Sequence, residues 1–416
     1  MAKLINIRAF CIVSGICFLA ACNKSGLDQY PPVINPVNIP IGSSDITRSM
    51  NDFAFDFFKT VLNNDKTESN KLVSPLSIFI TLSMIYNGSG NATRDSIAHA
   101  LRLTSGDIQK LNDVCKILIE GLPTVDNKVK MSMVNSIWYN TNGPQPVPDF
   151  LTTINQSYHA AVKPVDFFNS ETAINEINNW VADNTNQKIK NILDNIDSGD
   201  LMFLINAIYF KGPWKNKFEV SKTINEDFHT SGGNLVSTPF MVQENTIHYA
   251  HSNNLQVAEL PYSAGEYNVY IVLPDENTHL TETMASINAT TFHELLSDTQ
   301  SVKFSIHLPK WKSSYKINSL RPGLAAMGMD IAFTDQADFT KMYTHPVQVT
   351  KAIHQTFIEV TEEGTEAAAA TVIGVGTTAS TSPPVLKINR PFIYVIAEKS
   401  SGTILFTGVI NNPAQP

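Results

Sequence analysis

From Gly364 to Pro384 the chain reads GTEAAAATVIGVGTTASTSPP, with one charged residue, Glu366, and no large aromatic. No ordinary element accommodates such a stretch. The alanines favour helix, but the Thr, Val, Ile and Gly residues that follow do not sustain one. A disordered segment would carry more charge, and a structureless loop of about twenty residues inside a compact domain is generally functional. A period of two resolves the conflict. As a strand, the segment turns Thr365, Ala367, Ala369, Thr371 and Ile373 one way, and Glu366, Ala368, Ala370 and Val372 the other. The only charge falls on the outward face, and the inward face is small enough to slide between packed neighbours. Such a segment is compatible with both an exposed loop and a strand inserted in a sheet, which is the mark of a conformational switch.

The rest of the chain is an ordinary globular sequence. Its 416 residues, 43% apolar and 16% charged, suffice for a large core. A net charge of −8 lacks the basic stripe that nucleic-acid binding needs. Phe53, Phe57, Phe58 and Val61 recur at helical spacing after capping residues Ser43, Ser44 and Asp45. Ser74-Pro75-Leu76-Ser77 reads as an N-cap with proline in the first turn, opening an apolar helix to Tyr86. Leu201 to Phe210, LMFLINAIYF, reads as a strand covered on both faces. Further strands are expected at Tyr267 to Leu273, Val302 to Leu308, Phe357 to Thr361, Phe392 to Ala397 and Ile404 to Val409. Helices dominate early and strands late, so the expected fold is one mixed α+β domain over residues 45–416.

The N-terminus has the parts of an export signal. Lys3 and Arg8 precede an apolar run, Ala9 to Ala21, that is too short to span a bilayer. It ends in Leu19-Ala20-Ala21-Cys22, which resembles the lipobox of bacterial lipoproteins, with Cys22 as the lipidated residue. This makes 1–21 a signal peptide and 22–44 a tether. Pro31, Pro32, Pro36 and Pro40 favour an extended, mobile tether. Cys11 and Cys17 would leave with the signal, so the mature chain has no disulfide of its own. Cys115 shares a helical face with Leu111, Val114, Leu118 and Ile119 and is expected to be a buried, inert thiol.

Several motifs, taken in order, resemble the serpin family of protease inhibitors. The segment Glu362-Glu363-Gly364-Thr365-Glu366-Ala367-Ala368-Ala369-Ala370-Thr371 is similar to the hinge of an inhibitory serpin's reactive-centre loop. Leu386 to Ile396, LKINRPFIYVI, resembles the family's C-terminal signature. Ser74-Pro75-Leu76-Ser77, Asn178-Asn179-Trp180-Val181, Asn206 to Gly212 with Trp214, Leu308-Pro309-Lys310, Ala337-Asp338-Phe339 and Lys351-Ala352-Ile353-His354 also fall in family order. The resemblance covers about residues 45 to 412.

It implies three β-sheets, eight or nine helices and an exposed reactive-centre loop. It also implies a mechanism in which a protease cuts the loop and the freed hinge inserts into the central sheet, sheet A, while the acyl-enzyme still holds. Ser74, Ser77, Asn206 and His354 match the polar shutter that sheet A must part. Trp214 matches the breach at its top, and Glu362 with Lys310 matches an ion pair there. The scissile bond has two candidate positions, Thr378–Ala379 counting forward from Gly364, and Ser380–Thr381 counting back from Pro391-Phe392. Either bait is small and uncharged, which suits elastase-like, subtilisin-like or papain-like proteases and not trypsin-like ones. The resemblance implies a monomer with no cofactor, no metal, no nucleic-acid partner and membrane contact through the lipid alone. Lipid-anchored export, by Asn23 after Cys22, leans toward the outer membrane, on its periplasmic or its surface face.

Enzyme readings find little support. Ser313-Ser314-Tyr315-Lys316 fits the S-x-x-K pattern of β-lactamases, but the companion S-D-N and K-T-G motifs are missing. His248 and His251 lack an H-E-x-x-H or cysteine cluster. The rival reading is a binding or storage serpin cleaved as a plain substrate. Around Leu101 to Lys116, Arg102, Lys110 and Lys116 are too sparse for a heparin-type activation site.

Overall fold

Phenylalanines four residues apart set the frame. Phe53, Phe57 and Phe58 are fully buried on one helix, where Phe53 stacks on Phe57 at 5.5 Å and meets Phe79 of the next helix edge-on at 5.8 Å. The computed structural model describes residues 31–365 and 383–415. Residues 1–21, Cys22, hinge residues Glu366 to Thr371 and both candidate scissile bonds lie outside the described residues.

Among the described residues there are nine α-helices: α1 (Ser44–Asn64), α2 (Pro75–Gly88), α3 (Asn91–Ala100), α4 (Ile108–Gly121), α5 (Pro148–Tyr158), α6 (Ser170–Asn184), α7 (Leu280–Ser286), α8 (Ala289–Ser297) and α9 (Arg321–Ala326). The first strands are β1 (Lys71–Val73), β2 (Lys130–Asn140), β3 (Ala161–Val165), β4 (Met202–Pro213), β5 (Ile224–His229), β6 (Leu235–Ser252), β7 (Leu255–Pro261) and β8 (Tyr267–Pro274). They are followed by β9 (Gln300–Pro309), β10 (Trp311–Ile317), β11 (His354–Thr361), β12 (Gly364–Thr365), β13 (Val385–Lys387), β14 (Phe392–Glu398) and β15 (Ile404–Ile410).

One sheet, in the place of sheet A, has the order β10-β11-β12-β4-β2-β3. The remaining strands run β1-β15-β14-β8-β7-β6-β9-β13, with β5 on β6. The long strand β6 joins two parts of that assembly: its start pairs with β5, its middle with β9 and its end with β7. The result is the serpin arrangement of three sheets in a mixed α+β fold. α2 runs beneath sheet A, as its near-continuous apolar sequence requires, opened by the Ser74 hydroxyl accepting from the Ser77 N–H. Over the other face lies α6, whose Ile177 and Val181 join Trp138 and Phe203 in a second apolar cluster.

The expected strands all form, each within a few residues of its expected bounds. The sequence reading missed β1, β2, β3, β7, β10, β13 and the hairpin β5–β6. The last turns residues such as Glu244 and Thr246 to solvent, which dilutes its apolar period. The end of the expected tether departs from the mobile reading. Asn35 N–H donates to Val125 O (2.9 Å), Ile34 bridges Asp126, Val37 N–H donates to Ser400 Oγ (2.8 Å), and the Val37 side chain is buried. Prolines at 36 and 40 hold the backbone extended, so Ile34, Val37 and Ile39 lie along the body while Val33 stays exposed. Cys115 is buried as expected, and burial pushes its thiol up to about 12.

Candidate functional site

The site is the junction where sheet A receives the chain leading into the Gly364–Pro384 segment. β11 runs up through Thr361, the chain turns at Glu362 and Glu363, and Gly364 and Thr365 come back into the sheet as β12. They pair with β11 on one side (Val360 opposite Thr365) and with β4 on the other (Gly212 opposite Thr365). Both residues are buried. Gly364 and Thr365 therefore belong to the sheet and not to the expected exposed loop. Gly364 has φ +139°, and a Cβ there would lie 2.0 Å from Gly212 O, so only glycine fits the turn.

Thr365 is held by its side chain as well. Its Oγ1 and the hydroxyl of buried Tyr262 share a short hydrogen bond. Tyr262 stacks on Trp214 at 4.7 Å with the rings 5° apart, and Trp214 Nε1–H donates to Thr361 O (2.8 Å). Trp214 thus lies at the top of the sheet, beside the pair that holds Thr365. Tyr262 was not anticipated, because nothing in the sequence marks an aromatic 103 residues upstream as a partner of Thr365.

Both hinge glutamates are anchored. Lys310 Nζ lies 3.0 Å from Glu362, and the Thr223 hydroxyl donates to the same carboxylate (2.8 Å). Burial would raise the Glu362 carboxyl, but bonds from its own N–H, Thr223 and Lys310 outweigh it and hold the group below its ordinary range. Glu363 pairs with Lys217 at 2.7 Å. Trp214 N–H and Phe218 N–H donate to the carbonyls of Glu363 and Glu362 (2.9 and 3.0 Å).

Below Thr365 the sheet is parted. Among the described residues no register pair joins β4 directly to β11, and a largely apolar slot of about 350 Å³ lies between β4, from Met202 to Asn206, and the chain that enters β11 at His354. Ser77, Asn206 and His354 all line this slot. The expected shutter is assembled in two halves. The Ser74 N–H donates to His354 Nε2 (3.0 Å), the Ser74 hydroxyl donates to Leu405 O (2.8 Å), and its oxygen caps Ser77. Asn206 instead donates to Asn135 Oδ1 (2.7 Å), and Asn135 donates to Tyr158 O (2.7 Å). Asn135 escaped the sequence reading, although a polar residue between Met133 and Ile137 in a buried strand needs a partner. Burial pulls the His354 imidazole down to about 3, so it is neutral and accepts at Nε2.

The other candidates play structural parts. Ser313 is buried on β10, and Lys316 pairs with Asp194 (2.7 Å). His251 binds Asp275 (2.9 Å). Arg102, Lys110 and Lys116 pair with Asp56, Asp45 and Glu120.

The sheet is parted at its centre, and Gly364 and Thr365 are seated at its top between the two separated strands. Family comparison names the class of a protein so built. The family described as Serpin (serine protease inhibitor) matches residues 48–413, and the chain belongs to it. An uncharacterised serpin-like protein of Thermococcus kodakarensis is 32% identical over 380 residues, covering 88% of this chain and 86% of its own. The thermophilic serpin tengpin in its native state superposes with a TM-score of 0.81 at 32% identity, covering 91% of this chain and 96% of tengpin. Human thyroxine-binding globulin, in complex with thyroxine, has a TM-score of 0.81 at 26% identity over 89% of this chain and 99% of its own.

The buried neutral His354 predicts an acid-sensitive native state. An unfolded histidine takes up a proton near pH 6.5, whereas the native one resists until about pH 3. The unfolded state therefore binds more protons across that window, and stability falls as pH drops through it. Between pH 7 and 5 this costs roughly 2 kcal/mol. Urea midpoints at the two pH values should show that loss, and His354→Asn should remove most of the difference. An equal drop in both proteins would exclude a neutral buried imidazole.

Proposed function

We propose that the chain is a suicide-substrate inhibitor of serine endopeptidases, and of papain-like cysteine endopeptidases, acting by loop cleavage and insertion into sheet A. The observation that carries this reading is the register at Thr365. Each further residue moves one step down both neighbours, so Ala369 would fall between Ile208 and Thr356, Thr371 between Asn206 and His354, and Ile373 between Leu204 and Ala352. The even-numbered β4 residues Ile208 and Phe210 face the main core, so positions 367, 369, 371 and 373 would enter it. All four are uncharged, and no proline interrupts Gly364 to Ser382.

The chemistry follows from the bait. The protease's nucleophilic oxygen or sulfur attacks the carbonyl carbon of Thr378 or Ser380. The C–N bond to Ala379 or Thr381 breaks, the leaving amine takes the proton, and an ester or thioester links the two proteins. The released hinge then zips into the slot and draws the tethered protease with it before water completes hydrolysis. Insertion supplies partners to two rows of backbone groups and buries the inward methyls, so the inserted state lies lower and the native one persists kinetically. The absence of a basic residue from Thr365 to Val385 supports elastase-like, subtilisin-like or papain-like targets. The short apolar run ending at Cys22 supports export as a lipoprotein, held at the outer membrane through lipid alone.

The chain from residue 22 onward, carrying Cys22→Ser, should form a complex of summed mass with neutrophil-type elastase or subtilisin that survives denaturation. Intact-mass analysis of the released C-terminal peptide then distinguishes Thr378–Ala379 from Ser380–Thr381. Clean cleavage without complex by every protease would leave a plain-substrate, binding-type serpin.

The register makes a finer prediction. Ala369→Glu places a charge in the core and should raise the inhibitor consumed per protease about tenfold, with the cleavage rate unchanged. Ala368→Glu, facing half-exposed Tyr209 and Phe357, should have little effect. Equal effects would refute the period of two.

For the anchor, the full chain expressed in a lipoprotein-processing bacterium should partition into detergent and label with palmitate. Both properties should vanish in Cys22→Ser, and an unlabelled parent would exclude lipidation.

A further inference from the structure

The slot between β4 and the approach to β11 has a chemistry of its own. Its volume of about 350 Å³ is roughly twice the ~150 Å³ of an apolar cavity that takes benzene, so it has room for about a dozen heavy atoms. Leu82 of α2, Leu204 of β4, Met342 and Val349 supply an apolar lining. Ser77, Thr81, Gln348, Thr350 and Lys351 also reach its wall, and two further polar groups, Asn206 and His354, stand together across it. Asn206 is oriented by its bond to Asn135, and among the described residues nothing donates to its buried Oδ1. His354 accepts the Ser74 N–H at Nε2, which leaves the ring proton on Nδ1. A largely apolar slot with a stranded acceptor and an imidazole N–H on its wall matches a molecule with an aliphatic or aromatic body and one hydroxyl, able both to donate and to accept.

We propose that this slot binds a small amphiphile of that class, of which an alkylphenol is the simplest example, and that occupancy blocks strand insertion. The second half rests on the inhibitory reading above. In that reading Thr371 brings a hydroxyl between Asn206 and His354, and Ile373 brings a branched aliphatic group beside Leu204. An alkylphenol carries the same two features in one molecule, so ligand and loop compete for one space. The bound chain would still be cut, but it would release the protease and behave as a substrate.

The test titrates 4-pentylphenol into the uncleaved chain by calorimetry, with 4-pentylanisole, which cannot donate, as the control. We expect one site per chain, at least fivefold weaker binding of the anisole, and a rise of several-fold in inhibitor consumed per protease at saturation. Leu204→Trp fills the slot and should weaken binding at least tenfold with an unchanged circular dichroism spectrum. Leu82→Phe serves the same purpose should the first variant fold poorly. No saturable binding by the parent, or undiminished binding by a folded slot-filling variant, overturns the ligand site. The loop-cleaved chain separates the two ideas. Loss of binding after cleavage supports both, whereas binding by parent and cleaved chains alike keeps the site and overturns insertion.

Discussion

β4 and β11 belong to one sheet yet, among the described residues, meet only through Gly364 and Thr365. Below that pair, each turns a row of backbone N–H and C=O groups toward a slot where a neighbouring strand would ordinarily lie. Much of the surrounding structure bears on this constraint. The other edges of both strands are fully laddered, β4 to β2 over ten pairs and β11 to β10 over seven, so neither strand can move aside without breaking a sheet. α2 closes the slot beneath. Ile192 and Leu193, after α6, line its outer side. Satisfying the two inner edges without dismantling the sheet requires one new strand, and the chain carries a segment of the right composition directly beyond Thr365.

The top of the slot is held by several unlike contacts acting together. Gly364 is required by sterics, Thr365 is bonded by Tyr262, and the turn before them is fixed by two glutamates whose lysine partners, Lys310 and Lys217, lie on the surrounding loops. Partly exposed ion pairs contribute about 0–1 kcal/mol each. Their importance lies in direction: they fix where the hinge enters, and the Trp214–Tyr262 stack beneath keeps water from the first pair. The register of every later residue follows from that entry point, because a slip of one position would exchange the core and outer faces of the whole segment.

Much of this was legible in the sequence, for reasons that differ from residue to residue. The Phe53 to Val61 helix and the Leu201 to Phe210 strand could be read because burial repeats at one period along them. The Glu362–Lys310 pair and the grouping of Ser74, Ser77 and His354 came from motif order, which carries long-range contacts that periodicity cannot. The rest lacked either signal. Asn135 is a polar residue inside a buried strand, and its partner Asn206 lies 71 residues away. The β5–β6 hairpin has one wet face and so a faint pattern. The segment from Ile34 to Ile39 was misjudged because prolines were read as freedom, when Ile34, Val37 and Ile39 beside a body give an extended chain reason to dock.

The order of inward residues after the hinge makes a last physical point. A strand entering between two packed neighbours must pass each of them in turn, so large side chains at its leading positions would raise the barrier, and small ones keep it low. A strand that is to stay needs the opposite, bulk that fills space once insertion is complete. In the proposed insertion, Thr365, Ala367, Ala369 and Thr371 would meet the first need, and Ile373, which the register at Thr365 would set beside Leu204, would meet the second. Speed and permanence of insertion would then reside in different residues of one segment.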